Sequence, residues 1–339
     1  MKKKILIVGS NKTFALEVIF KKHLTNLDNL VEIYPIQDLF LDFYNKSIFN
    51  KIIFRFGFSD IYKKIQQGLL IFVNEFQPSH IIIFKGMEVL PSTLKKWKNK
   101  KIKIINYNPD NPFIFSGRGS GNNNLTNSIS LFDLYVSYDK DIVQQLKLKN
   151  VNSILIPFGF DIEDFDFEQI IDEPEILRVC FVGNPDSERV NFIKKLNRYN
   201  IPIDLYGNGW GKYIQSNTIK IYPFVYGINF WKTLRKYAVQ LNLMRIHNLD
   251  SHNMRSFEIP GVGGIMLAPK TKDHALYFKD NVEVCLFENI DDCIKKINFL
   301  LNCDATKREL IRTNSSNISF KNYTYQNRVS QLNSALDNL

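Results

Sequence analysis

Short apolar runs alternate with helically spaced segments along the whole chain. Lys4–Val8 (KILIV) is a short apolar run closed by Gly9, the pattern of a buried strand feeding a loop. Residues 14–23 place apolar side chains at helical spacing, residues 31–35 predict a second strand, and Ile61–Phe76 predicts a second helix. Residues 81–84 (IIIF), closed by Lys85 and Gly86, predict a third strand, and residues 92–97 predict a helix capped by Ser92 and Thr93. Residues 102–105, Leu134–Ser137 and residues 154–157 predict three further strands, with a helix over residues 139–146. Strands alternating with helices over about 150 residues imply a parallel, doubly wound sheet.

Residues 161–174 are acidic and lack a clear period, as expected of an interdomain linker. The alternation then restarts. Residues 177–182 end at Gly183 and Ile203–Tyr206 ends at Gly207; residues 239–244 and 264–268 predict two more strands. Helices are predicted over residues 188–199, 231–237, 253–260 and 290–301, and residues 323–339 form a polar amphipathic tail. The expected organisation is α/β. Residues 1–160 and 176–320 form two doubly wound domains facing across a cleft, 161–175 link them, and a helix in 321–339 crosses back to the first. The ligand is expected between the carboxyl ends of the strands.

Composition narrows the class. The 339 residues suit two domains, and 45 % hydrophobic with 23 % charged residues excludes a disordered, collagen-like or coiled-coil protein. Cys180, Cys285, Cys293 and Cys303 include no C-x-x-C pair, which argues against a zinc module or disulfide scaffold. No segment reaches the roughly 18–20 apolar residues of a membrane span, and the run behind Lys2–Lys4 is too short for a signal peptide. A cytoplasmic protein with reduced thiols is expected.

Charge changes the picture when divided. Residues 1–160 hold 22 Lys and Arg against 12 Asp and Glu, whereas residues 161–339 hold 22 of each. The excess of +10 therefore sits in the N-terminal half, much of it on Lys2, Lys3, Lys4, Lys95, Lys96, Lys98, Lys100, Lys101 and Lys103. Such a patch either draws an anionic partner, such as a phospholipid or lipid-linked phosphate, or simply keeps the chain soluble.

The densest candidate chemistry lies in residues 248–268 (NLDSHNMRSFEIPGVGGIMLA). Asp250, Ser251 and Asn253 are good N-caps for the following helix, whose free N–H groups would suit a phosphate. Arg255 adds a forked donor in its first turn, and Glu258 follows one turn later, where a carboxylate can accept both hydroxyls of a ribose. The same spacing also fits a surface Arg–Glu pair beside a tight turn.

Residues 253–264 (NMRSFEIPGVGG) resemble the nucleotide-site helix of group 1 glycosyltransferases, and more closely the CgeB-like, spore-maturation-protein type. The order of residues 179–183 (VCFVG), Arg189, residues 203–210 (IDLYGNGW), 241–243 (LNL) and 325–328 is similar too. In the first half the match rests on residues 4–9 and 108–112 (NPDNP). The resemblance implies the GT-B fold of two Rossmann-like domains and a nucleoside-diphosphate sugar as donor substrate, with no cofactor and no metal. It implies that Glu258 holds the ribose, that Arg255 with Ser251, His252, Asn253 and Met254 holds the diphosphate, and that Phe224 and Val225 meet the base. Gly183 and Arg189 are expected in the donor site, and Arg189 and Arg245 are further local cations of the second half. Many retaining members carry two Glu eight apart; here the first is Asp250, a methylene shorter. Transfer with retention is expected.

In the first half, three sites fall at strand ends. Gly9 and Ser10 offer backbone N–H groups to the sugar or its phosphate. Lys85 would steady the leaving diphosphate, and Asp110 would act as base or orient the acceptor hydroxyl. The glycine-rich loop of residues 116–124, with Arg118, is placed to close over the acceptor. All of these residue types also make ordinary turns.

Competing readings are weaker. Asp139-Lys140-Asp141 and Asp164-Phe165-Asp166 match the D-x-D metal pair of another transferase fold, but also suit a helix start and an acidic linker. Gly9 stands alone where a dinucleotide fingerprint needs three glycines. Nucleic-acid binding has only the basic half in its favour. The reading is a hexosyl-type glycosyltransferase of surface polysaccharide or glycoconjugate synthesis. Its acceptor is a glycan or lipid-linked, and its basic half docks at the anionic inner face of the membrane. A non-catalytic nucleotide-sugar-binding scaffold is the alternative.

Overall fold

The computed structural model describes residues 2–115, 119–245 and 250–339. The chain divides into two compact units, Met1–Pro157 with Tyr325–Leu339, and Phe158–Thr324. Among the described residues no helix is long and apolar enough to cross a membrane.

The first unit is built on β1 (Lys4–Val8), β2 (Leu30–Tyr34), β3 (His80–Phe84), β4 (Lys103–Asn108), β5 (Leu134–Ser137) and β6 (Ser153–Leu155), in the order β2-β1-β3-β4-β5-β6. The second is built on β7 (Ile176–Val182), β8 (Ile203–Tyr206), β9 (Ile219–Tyr222), β10 (Tyr237–Leu241), β11 (Met266–Pro269) and β12 (Cys285–Phe287), in the order β12-β11-β10-β7-β8-β9. The strands pair in parallel. Helices cover both faces of such sheets, so the strands are largely apolar and any polar side chain within them must be hydrogen bonded. Ile5, Leu6, Ile7 and Val8 of β1 and Ile81, Ile82 and Ile83 of β3 are fully buried. Strand order reverses between β1 and β3 in one sheet and between β7 and β10 in the other. Loops there leave to opposite faces and open a crevice at the strand carboxyl ends.

The C-terminal helix Tyr325–Leu336 belongs to the first unit. Tyr325, Val329, Leu332 and Leu336 join Phe20 and Leu24 in its core, and Lys3 pairs with Asp337 at 2.6 Å.

Several expectations shift. Residues 161–175 are not a bare linker: they include the helix Asp164–Ile171 of the second unit, and the boundary falls at Pro157. Ser92 and Thr93 do not cap; the helix Pro91–Lys98 starts on Pro91, and Thr93 Oγ1 donates to Gln66 Oε1 at 2.8 Å. β4 runs past Ile105 because Asn106 and Asn108 are buried and hydrogen bonded, Asn106 Nδ2 donating to the carbonyls of Ile83 and Lys85. The helix Ala305–Asn322 escaped the pattern because its inward residues include Arg308, Arg312, Ser315 and Ser319.

Candidate functional site

In the second unit the chemistry gathers at the β7–β10 reversal. β7 ends at Gly183, whose carbonyl accepts from Trp210 Nε1 at 2.8 Å. Gly207 ends β8 at φ +153°, and a Cβ there would stand 2.4 Å from the Gly183 carbonyl oxygen, so only glycine fits.

Arg189 bridges the reversal. It lies in the helix Ser187–Asn197, which Asp186 caps by accepting from its backbone N–H at 3.0 Å. Its Nη1 donates to the Asn184 carbonyl at 3.2 Å and its Nη2 to the Leu243 carbonyl, beyond β10, at 3.0 Å. Burial lowers its pKa; Asp186 opposes this, while Arg245 and Arg255 push further down. Arg245 and Arg255 therefore each lie within electrostatic reach of Arg189. Such a cluster, internally repulsive, is relieved by an anion.

Arg255 opens the helix Arg255–Gly261. Its guanidinium pairs with Glu258 and lies over the Phe230 ring, 4.4 Å from the centroid. The pair is not a surface one, since the side chains are only 25 % and 9 % exposed. The Arg255 Nε–H is buried with no acceptor among the described residues. Phe224 and Val225 are half-buried in the stretch leading to the helix Gly227–Lys236, which carries Phe230.

The turn before Arg255 is fixed by a buried polar network. Asn253 Oδ1 accepts from the Ser256 N–H at 3.1 Å, and Ser256 Oγ accepts from the Asn253 N–H at 3.2 Å. This reciprocal bond is a capping box. Ser256 Oγ reaches His274 Nε2 at 2.7 Å, and His274 Nδ1 donates to the Pro269 carbonyl at 2.7 Å. Asn242 completes the net, donating to Ser256 Oγ at 3.1 Å and accepting from Asn253 Nδ2 at 2.9 Å. Burial lowers the His274 pKa to about 4.

Of the expected caps only Asn253 acts on this helix. Asp250 accepts from the Lys272 N–H at 3.0 Å and pairs with its Nζ at 2.6 Å; these bonds hold its carboxyl below the usual range. Ser251 Oγ donates to Asp273 at 3.0 Å. His252 is fully buried among Phe158, Phe257 and Tyr277, with Nδ1 2.6 Å from Asp273 Oδ2. These three anchor the loop to the helix Lys272–Tyr277; His252 is packed inside rather than poised at a leaving group. Met254 begins the helical turn. His247 and Asn248 lie outside the described residues.

In the first unit the loop after β1 is not an open anion cradle. The Ser10 N–H donates to Glu17 at 2.9 Å, and Asp38 takes both Ser10 Oγ and the Asn11 N–H at 2.7 Å. Gly9 is needed because a Cβ would meet Glu17 Oε1 at 2.4 Å. Two carboxylates thus occupy the donors that a phosphate would need. Lys85 and Asp110 are brought together: Nζ and Oδ2 are 3.0 Å apart and each side chain is about a third exposed. Lys85 holds φ +59°, a left-handed conformation rare outside glycine.

Beside Lys85 is a cavity of about 850 Å³ lined by Phe40, Tyr44, Phe54, Tyr62 and Glu88. Burial raises Glu88 to about 7 and Tyr62 to about 12. No motif marks Glu88, which follows β3. Ser116, Gly117 and Arg118 lie outside the described residues. The D-x-D acids have structural work: Asp139 accepts from the Asp141 and Ile142 N–H groups, and Asp164 and Asp166 sit in a helix's first turn. Among the described residues no three His, Cys, Asp or Glu are grouped as metal ligands.

No curated protein matches the chain in sequence. A family model described as glycosyl transferase-like matches residues 189–334, which include Arg189, Arg255 and Glu258. Among solved structures the chain is similar to a sucrose-phosphate synthase from Thermosynechococcus elongatus, at 9 % identity and TM-score 0.67 over 98 % of each chain. It is similar to Anabaena HepE, solved with UDP-glucose, at 13 % identity and TM-score 0.64 over 99 % of each chain. A putative UDP-N-acetylglucosamine 2-epimerase from Listeria monocytogenes follows, at 11 % identity and TM-score 0.57 over 99 % of this chain and 96 % of that one. The two six-stranded parallel sheets are those of the GT-B fold, and residues 189–334 carry a glycosyl transferase-like sequence pattern.

Proposed function

We propose that this protein is a glycosyltransferase, of the CgeB-like type, that moves a sugar from a nucleoside-diphosphate sugar to a hydroxyl of a glycan or glycolipid. The observation that carries the reading is Arg255: a buried Nε–H with no acceptor among the described residues, within electrostatic reach of Arg189, in the unit that the family model matches. UDP is the favoured carrier, since HepE, with the same fold, was solved with UDP-glucose.

In this reading the bond between the anomeric carbon and the diphosphate oxygen breaks with its electron pair on the diphosphate. The three guanidiniums stabilise that charge, so transfer proceeds without added metal. Glu258 holds the ribose while pairing with Arg255. The acceptor oxygen bonds the anomeric carbon with retention, and its proton passes to a carboxylate, for which Asp110 is the candidate.

The test has two stages. Thermal-shift measurements with UDP, GDP, CDP, dTDP and NAD, with and without Mg²⁺, should find one diphosphate that stabilises without metal. Ligand at about 100 times its dissociation constant adds roughly 2.7 kcal/mol. Incubation with the matching sugar nucleotide and hydroxyl acceptors should then release the diphosphate and glycosylate the acceptor. Binding without release under any acceptor would make the protein a scaffold. A changed sugar with an intact diphosphate bond would make it an epimerase, and a shift with NAD alone would overturn the reading.

A further inference from the structure

We infer that the first unit docks on an anionic lipid surface through the helix Ile48–Arg55 and the segment that follows it, to Phe58. None of the eight residues of this helix is buried, although it reads IFNKIIFR. Ile48, Phe49 and Ile52 are 77 %, 68 % and 46 % exposed, and Phe56 and Phe58 are 72 % and 82 % exposed. Five large apolar side chains within eleven residues therefore face solvent. The helix is held to the unit by Phe54, whose ring meets those of Phe40, Tyr44 and Tyr62 at 5.0, 5.7 and 5.5 Å. That inner side is a wall of the 850 Å³ cavity.

Charge decides what covers the outer side. Between Lys46 and Ser59 the chain carries Lys46, Lys51 and Arg55 and no acid. Exposed aromatic and aliphatic residues interleaved with cations match the boundary between anionic headgroups and acyl chains. A second copy docked through the same face would set these cations against their equals.

The lysines near the chain start and in residues 95–103 are less suited to this role. Lys3 pairs with Asp337, Lys98 with Asp133, and Lys100 donates to Asn74. They also flank the amino ends of β1 and β4, whereas the cavity lies beside Lys85 at the carboxyl end of β3.

The test uses the full chain with phosphatidylglycerol-rich and pure phosphatidylcholine vesicles. The wild type should co-sediment with the first at low salt and be released at high salt. Phe49→Ser with Phe56→Ser and Phe58→Ser should weaken binding at least about a hundredfold, with unchanged circular dichroism and unfolding midpoint. Lys46→Gln with Lys51→Gln and Arg55→Gln should weaken it at least about tenfold and remove the salt dependence. Tryptophan placed by Phe58→Trp should shift its emission to the blue on vesicles. Absence of wild-type binding, or full binding by the Phe variant, overturns the inference. A wild-type dimer that the Phe variant dissolves, without vesicle binding, assigns the face to a second copy instead. None of these readouts depends on nucleotide binding, so donor chemistry and lipid docking fail or stand separately.

Discussion

Nε2 of His274 lies 2.7 Å from Oγ of Ser256, and both side chains are fully buried behind the turn that presents Arg255. The Pro269 carbonyl holds the proton on Nδ1, so Nε2 must accept from the Ser256 hydroxyl, and protonation of the ring would break this bond. The folded-state pKa, about 4, lies below the ordinary 6.5. The native state therefore binds fewer protons than the unfolded chain, and stability falls as pH drops from about 6.5 towards 4. A shift of that size is worth on the order of 3 kcal/mol. Urea unfolding should show the wild type losing about that much more than His274→Gln between pH 7 and pH 4. Equal losses would mean that the ring titrates normally.

Glu88 has the opposite sign. Burial raises its folded pKa from 4.5 to about 7, so its cost is absent below pH 4.5 and grows as pH rises through 7. Glu88→Gln should thus be close to neutral at pH 4 and stabilise by on the order of 2–3 kcal/mol at pH 8. Parallel pH series of unfolding free energies check this.

Arg255→Ala would strand the Glu258 carboxylate, 9 % exposed, so the sharper variant is Arg255→Lys. It keeps the charge and loses the planar fork. Nucleoside-diphosphate affinity should fall about tenfold, with a smaller change for the nucleoside monophosphate, by titration calorimetry. Equal losses for both would remove Arg255 from the diphosphate.

Arg312 should matter for stability alone. Its guanidinium donates to the carbonyls of Arg235, Gly263 and Tyr237 and to Glu175, all within the second unit. Arg312→Ala removes all of these bonds, leaving Glu175 to Arg308 alone, and should cost about 3–5 kcal/mol in urea unfolding. Nucleotide affinity, measured where the variant is folded, should not change.

Local pattern was enough for the first sheet; in the second it marked four strands and missed the short edge strands β9 and β12. Apolar runs such as residues 5–8 and 81–84 have one stable use, as strands covered on both faces, and glycine soon after them marks the loop. Arg255 and Glu258 were legible because their three-residue spacing sets them on one helical face. Asn242 and His274, thirty-two positions apart, meet only through Ser256, a relationship no spacing encodes. The buried face of Ala305–Asn322 was hidden because arginine and serine fill it, satisfied by carbonyls from distant strands. The sequence by itself thus determined most element types, the parallel alternation and the Arg255–Glu258 spacing, through periodicity and turn chemistry. Tertiary structure alone decided which polar groups are spent internally. It committed the Gly9 loop to Glu17 and Asp38 and Asp250 to Lys272, and left the Arg255 Nε–H without an acceptor among the described residues, because hydrogen-bond satisfaction depends on partners that only folding brings near.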